Sequence, residues 1–302
     1  MITSTNLDAA QTFLWLYCRL LERHRFAHLF KQGKAVPART ALRAYQDTDG
    51  GFGHALEPDG RGAGSQPVHT YFAVRVLDEL GACDEAAAKP IIDFLASVTA
   101  ANGGVPVALP SVRNAPKAPW WNVGEDDPPG SLLPTAGIAG VLHKNGIAHP
   151  WLSAATDFCW QAIAAVADTH PYEVMSCLGF LDHVPERERA EREAERLGEL
   201  VREQRIVLLD PDAPDEARIS PGYAPGEYHT PLDYATRPTS LARRWFSDAE
   251  IEHALDALEQ GQGEDGGWPI NWRQWNPVAT FESRGYVTIA ALLTLRAYGR
   301  FA

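Results

Sequence analysis

A seven-residue frame of Gln, three residues, Gly-Gly and an aromatic occurs near both ends of the chain. It reads Gln46-Asp47-Thr48-Asp49-Gly50-Gly51-Phe52 and Gln262-Gly263-Glu264-Asp265-Gly266-Gly267-Trp268. Thr99-Ala100-Ala101-Asn102-Gly103-Gly104-Val105 repeats it with Thr in place of Gln and Val in place of the aromatic. Self-similarity at a fixed period constrains a fold more than any local pattern does. Each unit must be one supersecondary element that buries its apolar face against its neighbours. Gly50 and Gly103 lie 53 residues apart and Gly50 and Gly266 lie 216 apart, four intervals of about 54. Degenerate members are expected at Gln204-Arg205-Ile206 and around a loop at 170–184. A unit of this length holds two helices of roughly 12 to 15 residues with their loops, and the chain of 302 residues holds five to six units. The expectation is an all-α (α/α)6-type toroid, a barrel of about six helical hairpins forming one domain over residues 1–302.

Local signals agree with the hairpins. Asp8 is placed to cap a first helix in which Phe13, Leu16, Tyr17, Leu20 and Leu21 recur at helical spacing. Further helices are expected at 37–45, 68–80 after Pro67, 86–100, 134–145 and 150–167. A helix at 241–260 is interrupted where Ser247 can cap its second part, and a closing helix runs over 282–298. The helix 186–203 carries charge pairs such as Glu188 and Arg192 and reads as a solvated outer face. Two long stretches, 106–132 and 208–238, remain loop-like, and long loops inside a compact domain usually carry function.

Apolar residues make up 45 % of the chain, enough for a large core, and the net charge of −12 argues against nucleic acid or an anionic membrane surface as partner. Neither a signal peptide nor a transmembrane segment is read from the sequence, so a cytoplasmic location and a small-molecule substrate are expected. Cys18, Cys83, Cys159 and Cys177 form no Cys-x-x-Cys pair and read as buried free thiols.

The Gln-x-x-x-Gly-Gly-aromatic frame between an outer helix and the loop into an inner one resembles the QW-type repeats of squalene-hopene cyclases, related terpene cyclases and protein prenyltransferase β subunits. The segments Gly50 to Asp59, Ala118 to Trp121 and Gly266 to Pro269 also resemble those of a set of bacterial proteins of similar length. The resemblance implies a helical toroid with a central ligand cavity. Cyclases of this kind protonate their substrate with an Asp-x-Asp-Asp-Thr-Ala motif, whose place here is taken by Ser131-Leu132-Leu133-Pro134-Thr135-Ala136, so the usual acid is missing. The zinc set of prenyltransferases is also unmatched, and no metal site is read.

In such barrels the inner-helix starts and the loops before them converge on one end of the cavity, the default ligand site. Candidate catalytic residues are therefore His54, Glu57 and Asp59 in the loop after the first turn, with Asp126 in the long loop. The first three either act as acid, base or metal ligands or tie down their own Gly- and Pro-rich loop. Candidate binding residues are Gln66, His69, Trp120, Trp121 and Trp272, with Tyr228 and His229, and Glu282 and Arg284 as a substrate clamp or a structural ion pair. Trp268, directly after Gly-Gly, reads as repeat packing, and Asp47-Thr48-Asp49 as a turn. Three functions fit these residues. The first is a terpenoid-cyclase-like enzyme acting on an apolar, isoprenoid-like substrate with a polar or diphosphate head, magnesium being called for only with a diphosphate. The second is a polysaccharide-lyase-like toroid using Tyr223, Tyr228, His229 and Arg284. The third is a noncatalytic binding protein.

Overall fold

A computed structural model of the chain describes residues 1–211 and 213–301, which form twelve α-helices, four 3-10 turns and no strand beyond three isolated bridges. Helices alternate between two shells. The outer shell comprises α1 (Ser4–Tyr17), α3 (Ala35–Arg43), α5 (Glu85–Ser97), α7 (Pro150–Ala165), α9 (Arg187–Glu203) and α11 (Asp248–Gln260). The inner shell comprises α2 (Leu20–Phe30), α4 (Pro67–Glu79), α6 (Leu132–Lys144), α8 (Pro171–Leu181), the single turn α10 (Pro231–Tyr234) and α12 (Pro277–Ala297). Inner helices touch one another around the ring, α12 with α2, α4 with α6, α6 with α8 and α8 with α10, while the outer helices pack onto them. This is the helical toroid expected from the repeat.

The three Gly-Gly turns explain how the units join. Gly50, Gly103 and Gly266 have φ of 89°, 91° and 90°, a backbone open to glycine at little steric cost. Their N–H groups close the turn on the carbonyls of Asp47, Ala100 and Gly263 at 3.1, 2.9 and 2.8 Å. The N–H of the residue after Gly-Gly then donates to a threonine hydroxyl of an inner helix: Phe52 to Thr70 at 3.1 Å, Val105 to Thr135 at 2.9 Å and Trp268 to Thr288 at 3.0 Å. The second glycine of each pair lies against a phenylalanine of the next outer helix, Phe94 of α5, Phe158 of α7 and Phe13 of α1. Each turn therefore clips one hairpin to the following one, and the last clips the C-terminal hairpin to the N-terminal helix.

The ring is closed at the same seam by other contacts. Ile2 bridges to Phe301 and donates to the Arg300 carbonyl at 2.7 Å, and Asn6 and Gln262 exchange side-chain bonds of 2.8 and 2.9 Å. Gln204 keeps part of the frame: its amide reaches the Ala167 carbonyl at 2.8 Å and accepts from the Thr169 N–H at 3.2 Å, joining α9 to the loop before α8.

The charged helix α9 buries one stripe, Ala190, Ala194, Leu197 and Val201, where Leu197 and Val201 each contribute about 1.5 to 3 kcal/mol by leaving water. Glycines bring α6 and α8 together: a Cβ on Gly140 would stand 2.0 Å from the Gly179 carbonyl oxygen, so only glycine permits this approach.

Three boundaries differ from expectation. The first helix starts at Ser4 under a Thr3–Asn6 capping box rather than at Asp8. Residues 171–181 are not a loop but the buried inner helix α8, opened by Pro171. The last helix begins at Pro277, because the Asn276 side chain accepts from the N–H groups of Val278 and Ala279 at 2.9 and 3.2 Å. Ser247 does cap α11 through a capping box with Glu250, and all four cysteines are buried free thiols. No helix among the described residues is long and apolar enough to cross a membrane.

Candidate functional site

The loop after the first Gly-Gly turn is held in an unusual path. His54 and Ala55 have φ of 56° and 62°, uncommon for residues with a side chain. Arg19, at the start of α2, donates to the carbonyls of Ala55 and Leu56, both at 2.9 Å, and is itself held by the buried Glu22 at 3.0 and 2.8 Å. That path turns Glu57 and Asp59 inward, leaving them 9 % and 5 % exposed. The Glu57 N–H donates to Nδ1 of His69 in the first turns of α4 at 2.8 Å, which assigns the imidazole proton to Nε2. Nε2 packs against Gly60, where a Cβ would stand 2.9 Å away.

Two indoles from two other loops complete the cluster. Trp121 Nε1 donates to Glu57 Oε2 at 3.1 Å and Trp275 Nε1 donates to Asp59 Oδ1 at 2.7 Å. The Asp59 N–H adds a bond to Glu57 Oε2 at 3.2 Å. Burial pushes the Glu57 carboxyl well above its ordinary range and the neighbouring Asp59 charge pushes it further, against the Asp59 N–H, the Trp121 indole and Arg19. Asp59 is raised by burial to about 6, against the Trp275 and Trp120 indoles and Arg61. Burial thus raises both carboxyls of the pair, and two adjacent buried carboxyls favour sharing a proton over ionising together. His69 is lowered to about 3, first by burial and then by Arg19, His54 and Arg61, so it stays neutral.

The pair borders an aromatic centre. Phe72 of α4 meets Tyr286 of α12 edge-on with centroids 5.2 Å apart, and Trp272 stacks on Tyr286 at 6.1 Å. Around the closed ring α2 lies between α12 and α4, so the Phe72–Tyr286 contact reaches past it on the inside of the ring. Tyr286 is raised by burial and by both carboxyls, Glu57 and then Asp59. A second polar cluster stands at the start of α8: Tyr172 donates to Glu227 at 3.2 Å, and Tyr223 pairs with His170 at 2.8 Å. His229 meets Tyr172 edge-on at 4.9 Å.

The remaining sequence candidates divide by these contacts. Trp120 is exposed on the rim and Trp121 holds Glu57. His54 is exposed at the apex of its loop. Glu282 pairs with Arg61 above the carboxyls. Gln66 has both ends of its amide committed to the long loop, to Ser111 at 2.8 Å and from the Leu109 N–H at 2.7 Å, so it anchors that loop. Arg284 is likewise committed, to Asp265 at 2.8 and 2.7 Å and over the Phe13 ring at 4.4 Å. Arg284 thus pairs with Asp265 within the last turn and Glu282 with Arg61, rather than with each other. Asp126 is 94 % exposed and bound to Arg113, away from the buried pair. Tyr228 meets the Asn271 amide through its carbonyl at 2.7 Å. Trp268 is 3 % exposed and donates to the Leu258 carbonyl at 2.8 Å, as repeat packing requires. The lyase set is divided: Tyr223 and His229 stand by α8 and Arg284 at the last turn.

Sequence reasoning passed over Arg19, Tyr172 and Tyr286. Tyr286 lies one turn after Glu282 on the same helix face, a spacing that could have found it. Among the described residues no group of three or more His, Cys, Asp or Glu is arranged to hold a metal ion. Two surface grooves of about 620 and 610 Å³ lie elsewhere, one beside Trp275 and Arg284 and one beside His149, and neither is lined by Glu57 or Asp59.

No family model matches the chain, and no match is found among the curated proteins. Solved structures do resemble it. A protein from Actinoplanes aligns over 97 % of this chain and 89 % of its own, with a TM-score of 0.55 and 19 % identity. The type II terpene cyclase MstE from Scytonema, as a variant in complex with its substrate geranylgeranyl dihydroxybenzoate, aligns over 96 % of this chain and 86 % of its own, with a TM-score of 0.53 and 13 % identity. Another variant of MstE, in complex with the product merosterolic acid A, gives 0.53 at 12 % identity over 98 % and 86 %. At these identities the likeness establishes a terpene-cyclase-like fold.

Proposed function

We propose that residues 1–302 form one terpene-cyclase-like domain, built on QW-type repeats, whose Glu57 is the general acid for isomerase or lyase chemistry on an apolar, isoprenoid-like substrate with a polar head. The observation that carries this reading is the Glu57–Asp59 pair, buried side by side at the edge of an aromatic centre, where burial raises both carboxyls. The Scytonema cyclase, which binds a geranylgeranyl-tailed substrate on the same fold, supports the tailed substrate.

On this reading the Glu57 O–H bond breaks as its proton passes to the substrate, leaving a carbocation beside the new bond. A neighbouring double bond of the substrate attacks that cation, and a C–H proton is finally lost to a base, for which the Asp59 carboxylate is nearest. A carboxyl with a raised pKa keeps its proton but donates it weakly. An epoxide or allylic oxygen is accordingly a better acceptor than an unactivated double bond. Tyr286, Trp272 and Phe72 would stabilise the cation through their π faces.

The test is product analysis by mass spectrometry after incubation with epoxidised and plain prenyl substrates. Turnover is expected to fall about 10²- to 10⁴-fold in Glu57→Gln, with the fold retained because the protonated acid and the amide have the same shape. Full activity in that variant would remove Glu57 as the acid. Saturable binding without any product from the wild type would leave a binding protein.

A further inference from the structure

Arg75 lies on the inner face of α4. It follows Tyr71 by four residues and Phe72 by three, so it shares their side of the helix. Those two fix where that side points: Tyr71 packs on Gly137 of α6, and Phe72 reaches Tyr286 of α12. Between these directions lies the middle of the ring. Arg75 is solvent-exposed there although its helix belongs to the inner shell, and its guanidinium sits over the Tyr71 ring at 5.7 Å.

Among the described residues the guanidinium makes no hydrogen bond and no ion pair. Both carboxylates nearest in sequence are committed elsewhere. Glu79 binds Arg25 at 2.6 Å, and Asp78 binds Lys144 at 2.7 Å and Asn145 at 2.9 Å. Although the side chain is open to solvent within the ring, the protein packed around it disfavours the charge, yet Tyr71, Glu79, Tyr286 and Asp78 keep its pKa raised, so it remains a cation. A planar fork of donors held unpaired in an aromatic enclosure suits a carboxylate or phosphate, which it can grip with two parallel bonds.

We infer that Arg75 is the anchor for an anionic head, a carboxylate or a phosphate, on a ligand whose apolar tail lies in the aromatic centre. The inference rests on the apolar-tailed substrate proposed above and adds where its head is held. His69, which touches Glu57, and Arg75 are six residues apart on α4, about 9 Å along the helix axis. A ligand held at Arg75 would therefore extend its tail toward the carboxyl pair.

Calorimetric titration of the full chain with farnesol, farnesoic acid and farnesyl phosphate tests this, since the three share a tail and differ in the head. Both anions are expected to bind the wild type about 10- to 100-fold more tightly than farnesol. Arg75→Gln should bring all three to similar affinity while leaving farnesol unchanged. Arg75→Met, which preserves much of the side chain's length, is the second variant, with the same expectation. Equal binding of the three heads by the wild type, or discrimination that survives both substitutions, would overturn the anchor. Discrimination that depends on Arg75 without any product would sustain the anchor and remove the acid chemistry, whereas turnover with a KM indifferent to Arg75 would do the reverse. If none of the three binds, both fall.

Discussion

The turns at 46–52 and 262–268 share their backbone angle and their hydrogen bonds, while the loops that leave them share almost nothing. Both turns place glycine at φ near 90°, close with a glutamine amide on the first glycine's carbonyl at 3.1 and 2.8 Å, and hand the next N–H to a threonine. The first loop then supplies two buried carboxyls, and the last supplies the indole of Trp275 that binds one of them. The loop after the middle turn supplies Trp121 for the other. Turns with the same glycine geometry and threonine clip launch their loops at the same end of the ring, which is why three dissimilar loops meet. Turns carry the architecture and loops carry the chemistry, a division common where a rigid scaffold presents variable segments.

Breaking a turn should have the largest effect, and the turns are not equally vulnerable. A Cβ at Gly50 would stand 2.2 Å from the Pro90 carbonyl oxygen and one at Gly266 2.2 Å from that of Ala9, whereas at Gly103 the nearest atom is 3.6 Å away. Gly50→Ala and Gly266→Ala are expected to cost about 4 kcal/mol or more in urea unfolding, or to prevent folding. Gly103→Ala should cost only the backbone penalty of about 1 to 2 kcal/mol. Equal losses at all three sites would contradict the clip that these turns form.

A change in the loop chemistry should appear in pH dependence rather than in the fold. The Asp59 pKa is raised from 3.8 to about 6, so the native state binds the extra proton between those values. Its contribution is therefore fully present below about pH 4 and is lost as pH rises through 6, roughly 3 kcal/mol in all. His69, lowered from 6.5 to about 3, acts with the opposite sign, its contribution being lost as pH falls through that range. Asp59→Asn should remove the Asp59 contribution and leave stability rising more steeply between pH 4 and 6 than in the wild type, as read from melting temperatures across that range. An unchanged slope would mean that Asp59 is not held protonated by its burial. The smallest effect is expected at Asp126, where the exposed carboxylate meets Arg113. Asp126→Asn should leave turnover intact and the melting temperature within about 1 °C.

The sequence also shows how far a repeat can be followed. Gly50, Gly103 and Gly266 were legible as turns because glycine at this backbone angle is a local requirement. Residues 171–181 were not legible as a helix, since their short apolar run has no Gly-Gly before it and lies where a degenerate turn was expected. Glu57, Asp59 and Trp121 were legible as candidates through a loop rich in polar and aromatic residues. Gln66 and Arg284 stood out equally, yet their side chains are spent on a loop anchor and a turn.

From the chain alone came the period, the helical hairpins and the closed toroid, because spacing and backbone requirements act over a few residues and repeat. Tertiary structure alone decided which polar side chains remain free. Trp275 reaches Asp59 from 216 residues away, and the carboxylates around Arg75 are taken by Arg25, Lys144 and Asn145 from other helices. Burial and partnership set a group's charge and availability, and both depend on segments that sequence distance does not bring together.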